Sequence, residues 1–154
     1  MDYPQYEDDL QRIHESEVFG LALFDTAARI TRNPARKKKW LVLKALEEKT
    51  LDRYLAYMRE SGQPVTEPRT WRLKGRVEGV ALGMMPWRVA MKLLRSGTAP
   101  FQEKFLRLKQ HADGAHQEFF AYVYAHEKAI EAFADKELAQ AGDSLVAVET
   151  LLSG

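Results

Sequence analysis

The 154-residue sequence contains no cysteine. This absence excludes disulfide bonds, thiolate nucleophiles, iron–sulfur clusters and zinc-finger ligation, so any bound metal would depend on His, Asp or Glu side chains. The chain also has almost no net charge, because 23 basic side chains face 22 acidic ones. No overall electrostatic field attracts it to nucleic acid, and we expect no nucleic-acid partner.

A secretory leader and a long apolar run are also missing. The N-terminal segment MDYPQYEDDL is acidic and has neither the basic nor the apolar region of a signal peptide. No apolar run is long enough to cross a bilayer, and we therefore expect a cytoplasmic protein. What the chain does have is 45% hydrophobic and 10% aromatic residues, which is enough to form one folded domain over residues 1–154.

Apolar residues recur at helical spacing along most of the chain, and this periodicity predicts an all-α fold. We predict long helices from about Pro4 to Thr31, from Pro34 to Ser61, and from Ala115 to Ala139. A final helix of about three turns is predicted to end at Leu152. Long amphipathic helices joined in this way favour an antiparallel helical bundle.

The segment between the second and third long helices is richer in proline and glycine. Residues 63–76 show no periodicity, and we predict a loop there. Residues 77–95 are apolar but are interrupted by two glycines and Pro86, which predicts one kinked helix or two short ones. Residues 96–98 are expected to end that helix, and another short helix is expected over residues 100–111.

Several polar side chains lie inside the apolar faces of the predicted long helices. His14 and Glu17 interrupt the face of the first helix, and Glu47 interrupts that of the second. His126 and Glu127 lie at the core edge of the third long helix. These five residues are the candidate ligands for a metal ion bound between the helices.

Glu17 and Glu47 are symmetric in sequence about Arg32, beside a turn predicted at Asn33. Residues placed in this way on a helical hairpin lie at the same height, so we expect the two carboxylates to face each other. A buried, unpaired carboxylate costs several kcal/mol, so it must be protonated, hydrogen-bonded, paired with a base or bound to a cation. Neighbouring side chains, Tyr54 and Lys44 among them, are the alternative to a metal.

Carboxylates on facing helices of a four-helix bundle, with Glu-x-x-His on two of them, are the signature of ferritin-like and rubrerythrin-like di-iron proteins. The chain resembles that superfamily around Glu17, in LKALEEKT at residues 43–50 and in AHEKAIEAF at residues 125–133. The resemblance implies a ferritin-like bundle with short extra helices between the second and third long helices. It also implies that Glu17, Glu47 and Glu127 occupy the positions of carboxylate ligands to iron or manganese.

The Glu-x-x-His pattern is incomplete in this chain. Thr50 stands three residues after Glu47, and Leu152 occupies the corresponding position in the final helix. His14 and His126 are the imidazoles that remain to replace the missing ones from other helices. A single metal, a degenerate site and no metal therefore remain open at this stage.

Residues 71–95 combine tryptophan and methionine with several arginines and lysines. Such a mixture can contact a membrane surface or a lipid, and it can also cap the bundle. If the bundle leaves this surface open, we expect a homodimer. Three functions remain: a metal-binding, oxidoreductase-like bundle protein, a non-catalytic relative used for dimerisation or partner binding, and a membrane-surface or lipid-binding protein.

Overall fold

A computed structural model describes residues 3–154. Within this range the chain forms six α-helices and a single 3₁₀ turn at Gly114–His116. The helices are α1 (Tyr6–Ile30), α2 (Pro34–Glu60), α3 (Arg69–Met84), α4 (Trp87–His111), α5 (Gln117–Leu138) and α6 (Val146–Ser153). Residues 3–154 contain no strand, which confirms the prediction of an all-α fold. None of these helices has both the length and the apolarity needed to cross a bilayer.

The four longest helices, α1, α2, α4 and α5, pack side by side, and neighbours around the bundle are antiparallel. Thr50 of α2 contacts His126 of α5, while Lys39, nearer the start of α2, contacts Glu137 near the end of α5. α4 and α5 are also antiparallel, because Arg95 contacts Asp135 while Gln102, later in α4, contacts Glu131, earlier in α5. α1 and α2 form a hairpin through residues 31–33.

The interior has two apolar clusters separated by a polar layer. One cluster includes Trp40 and Phe133, and the other includes Tyr54 and Phe105; all four side chains are fully buried. Burying a large apolar side chain of this kind stabilises the fold by about 1.5 to 3 kcal/mol. The polar candidates of the sequence lie between the two clusters, where water has little access.

α3 lies outside the four-helix bundle and runs parallel to α1. Gly75 and Gly79 pack directly against α1. A Cβ added at Gly75 would overlap the Phe19 carbonyl oxygen, and one added at Gly79 would lie 2.7 Å from the Leu23 carbonyl oxygen. The prediction of a loop over residues 63–76 is therefore wrong from Arg69 onward. The glycines allow close helix packing and do not interrupt α3, an effect of tertiary contact that local propensity does not show.

α4 is also longer than the sequence predicts. The helix break over residues 77–95 occurs at Met85 and Pro86, as expected for a proline and the residue before it. Residues 96–98 do not end α4, which continues through Pro100 to His111. Burial of inward-facing residues such as Leu94 and Phe105 outweighs the local cost of this proline. Instead of two short helices, α4 forms the fourth wall of the bundle.

The remaining helices agree with their predicted positions to within about two residues. The short final helix is confirmed, but it is not a wall of the bundle. α6 packs against α2 and α5, and its Val148 is fully buried. Lys49 of α2 donates hydrogen bonds to the carbonyl oxygens of Leu151, Leu152 and Gly154.

Candidate metal centre

Three of the predicted ligands meet in the polar layer. Glu17 of α1, Glu47 of α2 and His126 of α5 each offer one ligand atom, and these atoms all lie within 4.8 Å of one another. His126 Nε2 is 3.2 Å from Glu47 Oε1 and 3.8 Å from Glu17 Oε2. All three side chains are buried. The expected juxtaposition of Glu17 and Glu47 is confirmed, and their role as metal ligands stays a prediction.

Glu127 lies at the edge of this group. Its Oε1 atom is 4.0 Å from His126 Nε2 and accepts a hydrogen bond from Ser16 Oγ at 3.2 Å. Successive residues of a helix point in directions about 100° apart, so His126 and Glu127 extend toward different neighbours. His126 extends toward α2, while Glu127 extends toward α1.

The structure does not bring His14 into the group. Its ring lies beside Tyr54, with a distance of 4.9 Å between ring centroids. His14 Nδ1 and the Tyr54 hydroxyl are both buried without a hydrogen-bond partner. Burial lowers the pKa of His14 from its usual value. It is therefore a neutral core residue on the same helix as Glu17, facing a different part of the interior.

The carboxylates of this layer lack the partners that a purely structural explanation requires. Both oxygens of Glu17 and the Oε2 atom of Glu47 are buried without a hydrogen-bond partner. Lys44 pairs with Asp25 and Glu48 instead. Over residues 3–154, no lysine or arginine forms an ion pair with the three glutamates of the layer, whose only ion-pair partner is His126.

Crowding and burial change the proton affinity of these groups. Burial raises the pKa of Glu17 well above its usual value, and the Glu47 and Glu127 carboxylates raise it further. Burial raises the pKa of Glu127 to about 7, although His126 partly offsets this effect. Burial by itself lowers the pKa of His126, but Glu47 and Glu127 more than compensate and the net pKa is raised. In the absence of a cation, protons must stabilise this layer.

Thr50 fixes the orientation of His126. The Thr50 hydroxyl lies 2.7 Å from His126 Nδ1, which leaves Nε2 facing the carboxylates. A metal-binding imidazole usually donates its other N–H group to an oxygen in this way. Thr50 occupies the position where the resemblance leads one to expect a histidine, and it supports the histidine of α5 instead. Sequence reasoning noted Thr50 as the residue three places after Glu47 but missed this role, and it missed Ser16 altogether.

Gly20 makes room for one of the carboxylates. It lies one turn after Glu17 on α1, and a Cβ built on it would overlap the Glu47 carboxylate. The backbone of α1 is therefore packed directly against that group. A small residue one turn from an inward-facing glutamate is the sequence signal that could have indicated this close contact.

The donor set fits one cation better than two. Carboxylate oxygens together with one imidazole suit iron, manganese or zinc. A dinuclear site of the ferritin type takes a glutamate from each of two helices and a Glu-x-x-His pair from each of the other two. Here α4 has Leu94, Thr98 and Phe101 beside the layer and contributes no ligand. The described residues thus provide donors for a single ion, with Glu127 as a neighbouring carboxylate.

Comparisons with protein-family models, with curated proteins and with solved structures found no match for this chain. The function must therefore be inferred from the geometry of the site.

Proposed function

We propose that this chain is a diverged ferritin-like bundle protein that binds one iron or manganese ion between Glu17, Glu47 and His126. One observation supports this most directly: donors from three helices converge within 4.8 Å, and three of their carboxylate oxygens have no other partner. A cation would neutralise charge that no described lysine or arginine balances. Glu127 is the neighbouring carboxylate and is oriented by Ser16.

The chain's own residues would each make a distinct contribution. Glu17 and Glu47 supply the negative charge, and Thr50 holds His126 with Nε2 directed at them. The apolar clusters on either side limit the contact of the layer with bulk water, which strengthens electrostatic attraction within it. A redox-active iron would supply electrons to oxygen or a peroxide, and this is the oxidoreductase-like reaction that we propose.

Metal-dependent stabilisation tests the proposal. Thermal melts of wild type and Glu47→Gln would be recorded without metal, with Mn(II), and with Fe(II) under anaerobic conditions. A ligand present at about a hundred times its Kd stabilises the native state by about 2.7 kcal/mol, so the wild-type Tm should rise by several degrees. Glu47→Gln should abolish most of that rise, because it removes a ligand charge while preserving shape.

Glu48→Gln is the matched control for this experiment. Glu48 is the next residue of α2, but it is exposed and pairs with Lys44. Its substitution should leave the metal-dependent rise in Tm unchanged. Elemental analysis of the purified wild-type protein should detect iron or manganese. A wild-type Tm that ignores both metals would refute the metal site and favour a non-catalytic bundle that serves dimerisation or partner binding.

A second candidate function rests on the outer face of α3. Leu73, Val77, Val80 and Met84 recur at helical spacing and are between 40% and 75% exposed. α3 itself contains four basic side chains and one acidic one, although the whole chain carries a net charge of only +1. Apolar residues among basic ones are typical of helices that contact anionic lipids. We therefore propose an anionic membrane surface as the partner of this face.

Vesicle sedimentation tests this second candidate. The protein should sediment with vesicles that contain phosphatidylglycerol and stay in solution with pure phosphatidylcholine, and added salt should release it. Val77→Ser should weaken this binding. Val65→Ser, which changes an exposed valine outside α3, should not. If light scattering instead shows a dimer that Val77→Ser dissociates, the face is a homodimer interface and the membrane proposal fails.

A further inference from the structure

An apolar cavity of about 230 Å³ leads from the surface to the polar layer. Its outer end lies between α3 and α4, where the exposed residues Glu78, Leu93 and Gly97 line it. At its inner end are the buried carboxylates of Glu47 and Glu127. A single water occupies about 30 Å³ of liquid, so this space admits an organic molecule.

The lining of the cavity is mostly apolar, with a few buried polar groups. Its middle part is formed by aromatic and aliphatic side chains, which are Phe19, Phe24, Leu82, Leu94, Phe101 and Ile130. The buried polar groups are Ser16, Thr98 and the two carboxylates. Small-molecule sites commonly combine an apolar wall with a few polar groups in this manner. Close packing of α3 on α1 through Gly75 and Gly79 preforms the space.

We propose that this cavity binds a small amphiphilic organic molecule, with its apolar body along the aromatic wall and one neutral polar head group at Glu47 and Glu127. A neutral head is expected because an anionic one would be buried in a cavity whose lining contains no lysine or arginine. The inference rests on the proposed function and deepens it, since a molecule held in this way would present its head group to the metal site. Alcohols and aldehydes with a short aliphatic or aryl body have this chemistry.

Gly97 allows the cavity to be closed without touching the metal ligands. It lines the outer end from α4, and a Cβ built on it meets no atom within 4 Å. A leucine at this position would add a side chain at the mouth of the cavity, on a helix that contributes no ligand. Ala99→Leu is the matched control, because Ala99 is exposed on the same helix and does not line the cavity.

The experiment uses hexan-1-ol and hexanoate as probes of the metal-free protein. Binding would be followed by methyl NMR of Leu94 and Ile130. Hexan-1-ol should shift both signals saturably, and hexanoate should bind about ten-fold more weakly, a difference of about 1.4 kcal/mol. Gly97→Leu should weaken hexan-1-ol binding by about ten-fold or more, and Ala99→Leu should leave it unchanged. Both variants should keep the metal-dependent rise in Tm.

The outcomes separate this inference from the metal site. If hexan-1-ol binds as described but the wild-type Tm ignores metal, the proposed function fails and the ligand class of the cavity stands. If metal raises Tm but hexan-1-ol produces no saturable shift, the inference is overturned. Equal effects of Gly97→Leu and Ala99→Leu would also overturn it, because binding would then lie outside the cavity.

Discussion

Two buried carboxylates on α1 are stabilised in opposite ways. Asp9, near the start of the helix, accepts two hydrogen bonds from the Arg107 guanidinium of α4 and one from the Tyr3 hydroxyl. Glu17, about two turns further along, is just as buried and accepts none. The fold can thus place an arginine against a buried carboxylate where stability requires one.

The polar layer lacks the pairing that stabilises Asp9. A charge-assisted, bidentate pair is the usual solution for a carboxylate that serves the fold alone. Glu17, Glu47 and Glu127 share one histidine among them, so their mutual repulsion is balanced only in part. Such an arrangement disfavours the metal-free fold but suits a cation, and it therefore supports the proposed metal site. Four predictions test this contrast.

The largest effect is expected from Arg107→Leu. Removing the guanidinium leaves Asp9 buried with only the Tyr3 hydroxyl, and breaking a buried pair in this way costs about 3 kcal/mol. The free energy of unfolding in urea should fall by that amount. Arg29→Leu is the control, because its partner Asp25 lies at the surface and also contacts Lys44, so its effect should stay within about 0.5 kcal/mol. If Arg107→Leu and Arg29→Leu lowered the free energy of unfolding equally, Asp9 would not be a carboxylate stabilised by its ion pair, and its contrast with Glu17 would not hold.

The metal-free protein should become less stable as pH rises. Folding raises the pKa of Glu17 and raises that of Glu127 from 4.5 to about 7. Between these pKa values the native state holds protons that the unfolded chain has released. The contribution of these carboxyl groups to the free energy of unfolding is therefore fully present below pH 4.5 and is lost as pH rises through 7. The raised pKa of His126 adds a loss in the same direction, and the lowered pKa of His14 opposes it.

We expect the free energy of unfolding to fall by about 2 to 3 kcal/mol between pH 5 and pH 8, since the pKa of Glu127 is about 7 and each pH unit below it corresponds to about 1.4 kcal/mol. Urea titrations at several pH values would measure this slope. Saturating Mn(II) should flatten or reverse it, because the metal takes the place of the protons. A metal-free protein that becomes more stable from pH 5 to pH 8 would contradict the assignment.

Glu17→Gln should have the opposite sign to Arg107→Leu. It removes a charge that has no partner and gives Glu47 a hydrogen-bond donor, so metal-free stability at pH 8 should rise by about 1 to 2 kcal/mol. The same substitution should reduce the Tm rise with Mn(II). Destabilisation at pH 8 would mean that the Glu17 carboxylate has a structural partner after all.

Sequence patterns predicted the features that depend on spacing along one helix or across one hairpin. The symmetry of Glu17 and Glu47 about the turn was sufficient to place them together, and helical periodicity located α1, α2 and α5. The same patterns failed where long-range packing decides. Pro100 lies within α4 because inward-facing residues of that helix, such as Leu94 and Phe105, are buried. Gly75 lies within α3 because α1 is close.

That failure also affected the site. When residues 87–111 are divided into short helices, α6 appears to be the fourth wall, and the missing ligand is sought in the wrong helix. The contact between Thr50 and His126 was equally hidden, because no pattern within α2 or α5 reports which side chains meet across the bundle. Such contacts depend on the relative register of helices that are distant in sequence, and only the folded structure establishes that register.

The smallest change in stability is expected from Gly20→Ala. The new methyl group would overlap the Glu47 carboxylate, which lies at the end of a flexible side chain and can move away at little cost. Alanine also favours a helix by about 1 kcal/mol relative to glycine, so the net change in unfolding free energy should be below about 1 kcal/mol. Mn(II) should nevertheless raise Tm less than in wild type, because Glu47 no longer lies beside Glu17 and His126.

Gly97→Ala is the control for Gly20→Ala. It gains the same helix propensity without any new contact, and its response to Mn(II) should equal that of wild type. If both variants respond to Mn(II) like wild type, the position of the Glu47 carboxylate is not what holds the ion.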